Sequence, residues 1–132
     1  MLIDSKIIAI DFDGTIVENK YPDIGKPLPF AFETMKMLQN KGHRLILWTV
    51  RTGRLLDAAV EFCKERGIEF YCVNEDFPGE GSKIKNRKLN ADIFIDDRNI
   101  GGMMQWGEIY QILSGEESYS KPKKKWWEKI RD

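Results

Sequence analysis

Apolar residues arrive in short blocks separated by polar stretches that carry glycine and proline. Residues 7–10 (IIAI) form an unbroken apolar run, the pattern of a strand buried on both faces, and they lead directly into Asp11. Residues 17–29 are polar and proline-containing and read as a loop. From residue 30 to 41, Phe30, Ala31, Met35, Met37 and Leu38 recur mostly at three- and four-residue spacing. Pro29 suits the start of that helix and Gly42 its end. Residues 44–50 (RLILWTV) repeat the buried-strand pattern. Thr52 can then cap a helix with the stripe Leu55, Leu56, Ala59, Phe62 and Cys63, stopping at Gly67. Residues 68–73 predict a third strand, residues 74–88 are polar and glycine-containing, and residues 91–95 predict a fourth strand running into Asp96 and Asp97. Residues 106–113 read as a short helix, although their apolar spacing also suits a final strand.

Alternating strands and helices predict a single α/β domain with a doubly wound, mainly parallel sheet, whose ligand crevice lies outside the carboxyl ends of the strands. Three of the four predicted strands end in chemistry: Asp11 after the first, Thr49 near the end of the second, and Asp96 with Asp97 after the fourth. Asp11 and Asp13 flank Phe12, so in an extended segment their side chains leave on one side, just before a tight turn at Gly14. Two anions held that close repel, and a shared hard cation is their simplest relief.

Composition narrows the function classes. With 132 residues, 42% of them hydrophobic, and no Ser/Gly-rich or Pro-rich linker, one core and no second folded domain are expected. Twenty-one basic and 21 acidic residues cancel, so no overall field draws the chain to nucleic acid or an anionic membrane. The apolar run at residues 7–10 is too short for the core of a signal peptide, and no stretch is long enough to span a bilayer, so a cytoplasmic location is expected. Cys63 and Cys72 lie in apolar settings outside any C-x-x-C arrangement and read as structural thiols. His43, the single histidine, reads as a solvated loop residue, which leaves no Ser-His or Cys-His nucleophile system.

Taken in order, DFDGT at residues 11–15, the strand ending in LWT at Thr49, the lysines of SKIKNRKLNADIFIDD and the Asp96-Asp97 pair resemble the haloacid dehalogenase-like (HAD) superfamily. The match runs over residues 7 to about 102. The resemblance implies an Mg2+-dependent phosphatase with a Rossmann-like sheet and the DxD strand near its centre. It makes Asp11 the nucleophile that forms an aspartyl phosphate, and Asp13 the acid/base that protonates the leaving oxygen and later activates water. Mg2+ would be held by the Asp11 carboxylate, the Asp13 main-chain carbonyl and Asp96, with Asp97 in support. Thr49 matches the hydroxyl that hydrogen-bonds the phosphoryl group. Among Lys83, Lys85 and Lys88, Lys88 lies nearest the strand that delivers Asp96 and is taken as the family lysine. Gly14, Arg51 and Thr52 complete the expected substrate contacts, Arg51 and Thr52 because free backbone N–H groups and a guanidinium at a helix N-terminus can grip an anion.

Many such relatives carry a cap domain, for which residues 14–29 and 53–82 leave no room, so the expected protein is capless and its site open unless a second subunit or a macromolecular substrate covers it. The catalytic domain is expected over residues 1–114. Residues 115–132 form a basic-aromatic tail in which Lys121, Lys123, Lys124 and Lys125 precede Trp126 and Trp127. That mixture suits a membrane surface, RNA or a neighbouring subunit, or tryptophans packed back on the domain with the lysines in water. The expected activity is phosphomonoester hydrolysis on a small or macromolecular substrate. Alternatives are a phosphatase for nucleic-acid ends or phosphoproteins and, in another class, a receiver-like signalling module. Against the latter, the acid pair of a receiver belongs to the first strand and its lysine follows the phosphorylated aspartate; here the DxD motif comes first and the lysines precede the pair.

Overall fold

The computed structural model describes residues 5–75 and 90–115. Lys83, Lys85, Lys88 and the tail from residue 116 lie outside the described residues.

Four parallel strands make one sheet in the order β3-β2-β1-β4: β1 Ile7–Ile10, β2 Arg44–Leu47, β3 Cys72–Val73 and β4 Ile93–Ile95. Helices α1 (Ala31–Asn40), α2 (Gly53–Lys64) and α3 (Trp106–Ser114) follow β1, β2 and β4. The chain steps outward from β1 to β2 to β3, then returns to the far side of β1 as β4. The winding direction therefore reverses between β1 and β4, and a crevice opens at that point outside the strand ends. This is the expected single-domain, Rossmann-like α/β fold. Among the described residues, no helix is long and apolar enough to cross a membrane.

The two-residue period of the strands sorts the core. Ile8, Ile10, Leu45, Leu47 and Ile95 pack with Met35 and Leu38 of α1, Ala59 and Cys63 of α2, and Trp106 and Ile109 of α3. Ala9, Ile46 and Cys72 face the other way, with Trp48, Tyr71 and Phe94 packed against them. Both thiols are buried, and desolvation pushes that of Cys63 up to about 12, which leaves it inert.

Several elements are shorter than the apolar pattern predicts. The third strand was expected from residue 68, but Ile68 N–H bonds back to the Cys63 carbonyl and closes α2, while Glu69 N–H is taken by Gln39 Oε1. Sheet hydrogen bonding begins only with Tyr71 N–H on the Leu45 carbonyl. The second strand leaves the sheet early because Thr49 N–H bonds Asn74 Oδ1, and Val50 is 80% exposed. His43 is not a solvated loop residue: it is buried, and its Nδ1 accepts Lys6 N–H at 3.0 Å just ahead of β1. Burial, then the charges of Lys41 and Lys6, pull its pKa below the ordinary histidine value.

Residues 106–114 are helical, and the aromatic residue that opens α3 ties it to the DFDGT loop. Trp106 Nε1–H donates to the Thr15 carbonyl at 2.7 Å, and the Trp106 carbonyl accepts from Thr34 Oγ1 of α1 at 3.2 Å. Trp106→Phe keeps most of the packing but leaves the buried Thr15 carbonyl without this donor, so a loss of about 1 to 2 kcal/mol is expected in urea denaturation. A variant as stable as wild type would show that the indole hydrogen bond contributes nothing to the loop.

Candidate functional site

Asp11 is the first residue beyond β1, and its N–H still reaches the Ile95 carbonyl of β4 at 3.1 Å. The backbone then turns sharply: Thr15, Ile16 and Val17 all direct their N–H groups to the Phe12 carbonyl, with Phe12 fully buried beneath. Gly14 takes φ +82°, and a Cβ there would collide with the Asp97 carboxylate. Glycine thus serves the close approach of two acidic loops rather than a contact of its own.

The approach brings Asp11, Asp96 and Asp97 together, with one carboxylate oxygen of each within 4.8 Å of the others. Asp11 Oδ1 accepts Phe12 N–H at 2.8 Å. Burial raises the Asp11 carboxyl to about 6, against the lowering effect of that hydrogen bond and with help from the charges of Asp96, Asp97 and Asp13. Asp97 Oδ1 is buried without a hydrogen-bond partner. Asp96 Oδ1 accepts Arg98 N–H at 2.6 Å. An orphaned carboxylate oxygen beside two further carboxylates fits a hard cation, and it gives no reason to rank Asp97 behind Asp96 as a ligand.

Asp13 is turned elsewhere. Its two carboxylate oxygens accept from Arg51, Oδ2 from Nε at 2.8 Å and Oδ1 from Nη2 at 2.7 Å. Arg51 was expected to meet substrate at the mouth of α2; it is instead 0% exposed. Its guanidinium also donates to the Pro22 and Asp23 carbonyls and lies over the rings of Phe12 and Tyr21, at 5.1 and 5.2 Å from their centroids. The hydrogen bonds with Asp13 push the Arg51 pKa up, against the cost of burial. Arg51 therefore binds the DFDGT loop to residues 17–28, a flap pinned by Glu18 N–H on the Lys26 carbonyl and Leu28 N–H on the Ile16 carbonyl. Thr52 sits at the N-cap of α2, exposed and without a side-chain capping bond.

A cleft of about 400 Å3 opens over the carboxylates, lined by Asp11, Asp13, Thr49, Asp96 and Asp97. Thr49 Oγ1 accepts Arg51 N–H at 3.2 Å, which leaves its own hydroxyl proton to donate into the cleft. Asn19, Tyr21, Trp48, Val50 and Arg98 complete the lining and were not singled out from the sequence. Arg98 had a visible signal, since it directly follows the acid pair; the aromatic residues had none, because the flap meets the end of β2 only in the fold.

Neither a family model nor a curated protein matches the chain. Among solved structures, it is similar to that of a conserved protein from Bacteroides thetaiotaomicron, with 52% identity over 92% of this chain and 100% of that one and a TM-score of 0.80. At that identity and coverage, the chain belongs to the same family as this conserved Bacteroides protein.

Proposed function

We propose that this protein is a phosphomonoester hydrolase of the HAD type, dependent on a divalent cation such as Mg2+ and working through an aspartyl phosphate. The observation that carries the reading is the meeting of Asp11, Asp96 and Asp97 at the switch point of the sheet, in a cleft that Thr49 and Asp13 also line. A cation held by the three carboxylates would offset the negative charge of the phosphoryl group and keep Asp11 ionised.

The residues divide the work as follows. Phe12 N–H holds Asp11 Oδ1, leaving Oδ2 to attack phosphorus. As the new O–P bond forms, the ester P–O bond breaks and the leaving oxygen takes a proton from Asp13. Asp13 then removes a proton from water, which attacks the aspartyl phosphate and frees Asp11 and inorganic phosphate. Both Asp13 oxygens accept from Arg51, so each proton transfer requires one of those hydrogen bonds to give way. The Thr49 hydroxyl donates to a phosphoryl oxygen, and Arg98, rather than the buried Arg51, supplies a cationic contact from the cleft wall. The resemblance adds Lys88 at the phosphoryl group.

Phosphate release is expected from at least one member of a panel of sugar phosphates, nucleotides, phosphopeptides and 3'-phosphorylated oligonucleotides, with Mg2+ present and not after chelation. No release from any member, together with stable phosphorylation of an aspartate other than Asp11, would sink the reading in favour of a receiver-like module.

A further inference from the structure

The acidic floor of the cleft accounts for a phosphoryl group, whereas its rim is of another character. Tyr21 and Val50 are 53% and 80% exposed there, and Trp48 joins them in the lining. Large apolar side chains left open to water beside a cluster of carboxylates point to a ligand that covers them.

Both rings are held in place. The guanidinium of Arg51 lies over Tyr21 at 5.2 Å, and Arg51 is itself fixed by Asp13 and by the carbonyls of Pro22 and Asp23. Trp48 meets Phe94 edge-on, with ring centroids 5.2 Å apart, and its backbone N–H ties the residue to the end of β1 through the Ile10 carbonyl at 2.9 Å. Asn19 and Arg98 add hydrogen-bonding groups to the same lining. Beside them, two held aromatic rings and a valine offer flat apolar surface at little cost in side-chain freedom, which suits a ring better than a polyhydroxylated chain.

Resting on the hydrolase reading above, we infer that the physiological substrate is a phosphomonoester whose leaving group carries a flat aromatic ring, received by Tyr21, Trp48 and Val50. The phosphoryl group lies over Asp11 while the ring stacks at the rim.

Binding tests this apart from turnover. By calorimetry in Mg2+, benzylphosphonate is expected to bind about five- to tenfold more tightly than cyclohexylmethylphosphonate, which matches it in carbon count but presents no π-face. In Trp48→Leu, which leaves the Arg51–Tyr21 stack intact, the advantage is expected to fall to about twofold or less; Tyr21→Leu should reduce it as well. Equal affinities in wild type, binding of neither phosphonate, or an advantage undiminished in both variants would each overturn the ring site. A protein that discriminates between the phosphonates yet releases phosphate from no ester would support the ring site and sink the hydrolase reading. In competition, a gain of adenosine 5'-monophosphate over ribose 5-phosphate identifies a nucleotide as the source of the ring; without that gain, the ring lies next to the phosphoryl group.

Discussion

Asp11→Asn is expected to lower Mg2+-dependent phosphate release by at least about a thousandfold while making the metal-free protein more stable at neutral pH. The first effect follows from the proposed nucleophile, because an amide oxygen does not attack phosphorus. The second follows from where Asp11 sits. Its carboxyl is raised from 3.8 to about 6, chiefly by burial and then by three neighbouring carboxylates. A folded-state pKa above the unfolded one means that the group's stabilising contribution is complete below about pH 4 and is lost as pH rises through about 6. Asparagine has no such slope. With allowance for solvent screening of the partly exposed carboxyl, the variant should gain about 1 to 2 kcal/mol over wild type at pH 8 and about nothing at pH 4. Mg2+ should restore the wild type and not the variant, since only the former offers three carboxylates. Urea denaturation at the two pH values, with and without Mg2+, reads all of this. An equal gain at both pH values would mean that repulsion at Asp11 is not what the substitution relieves.

The same acids show what can be read along a chain and what cannot. β1 and the DFDGT turn were legible because an apolar run, two carboxylates and a glycine act within nine residues, where spacing and geometry are nearly the same thing. β4 and its acid pair were legible for the same reason. The limits of β3 were not, because they depend on Gln39, thirty residues earlier, capturing the Glu69 N–H before the sheet can. His43 looked like a loop residue by its neighbours Lys41 and Gly42, but the N–H that it accepts comes from Lys6, the residue just ahead of β1 and beside it in space. The Tyr21 and Trp48 rim joins a flap to the end of β2, and no periodicity marks such a meeting. Lys88 precedes β4 by only a few residues in the sequence, but it lies outside the described residues.

Arg51 is the sharpest difference, and it carries the second large expectation. A guanidinium before a helix reads as an anion site when its only known neighbours are Thr49, Thr52 and Gly53. In the fold it is sealed between Phe12 and Tyr21 with Asp13 as its counter-ion. Arg51→Ala removes the cation and leaves the Asp13 carboxylate and two flap carbonyls without these donors, so a loss of about 3 to 5 kcal/mol is expected in urea denaturation. Arg51→Lys separates structure from positioning. A lysine keeps the charge but cannot hold both Asp13 oxygens in one plane while reaching the Pro22 and Asp23 carbonyls. The lysine variant should recover more than half of the lost stability, yet show a kcat about tenfold or more below wild type with KM little changed, because Asp13 is no longer aimed at the leaving oxygen. The pH profile of kcat should also move, since Arg51 faces the group that carries the proton. If the lysine variant lost stability without any change in kcat or its pH profile, Arg51 would be a structural clamp alone, and the orientation of Asp13 would have to come from the turn at Gly14.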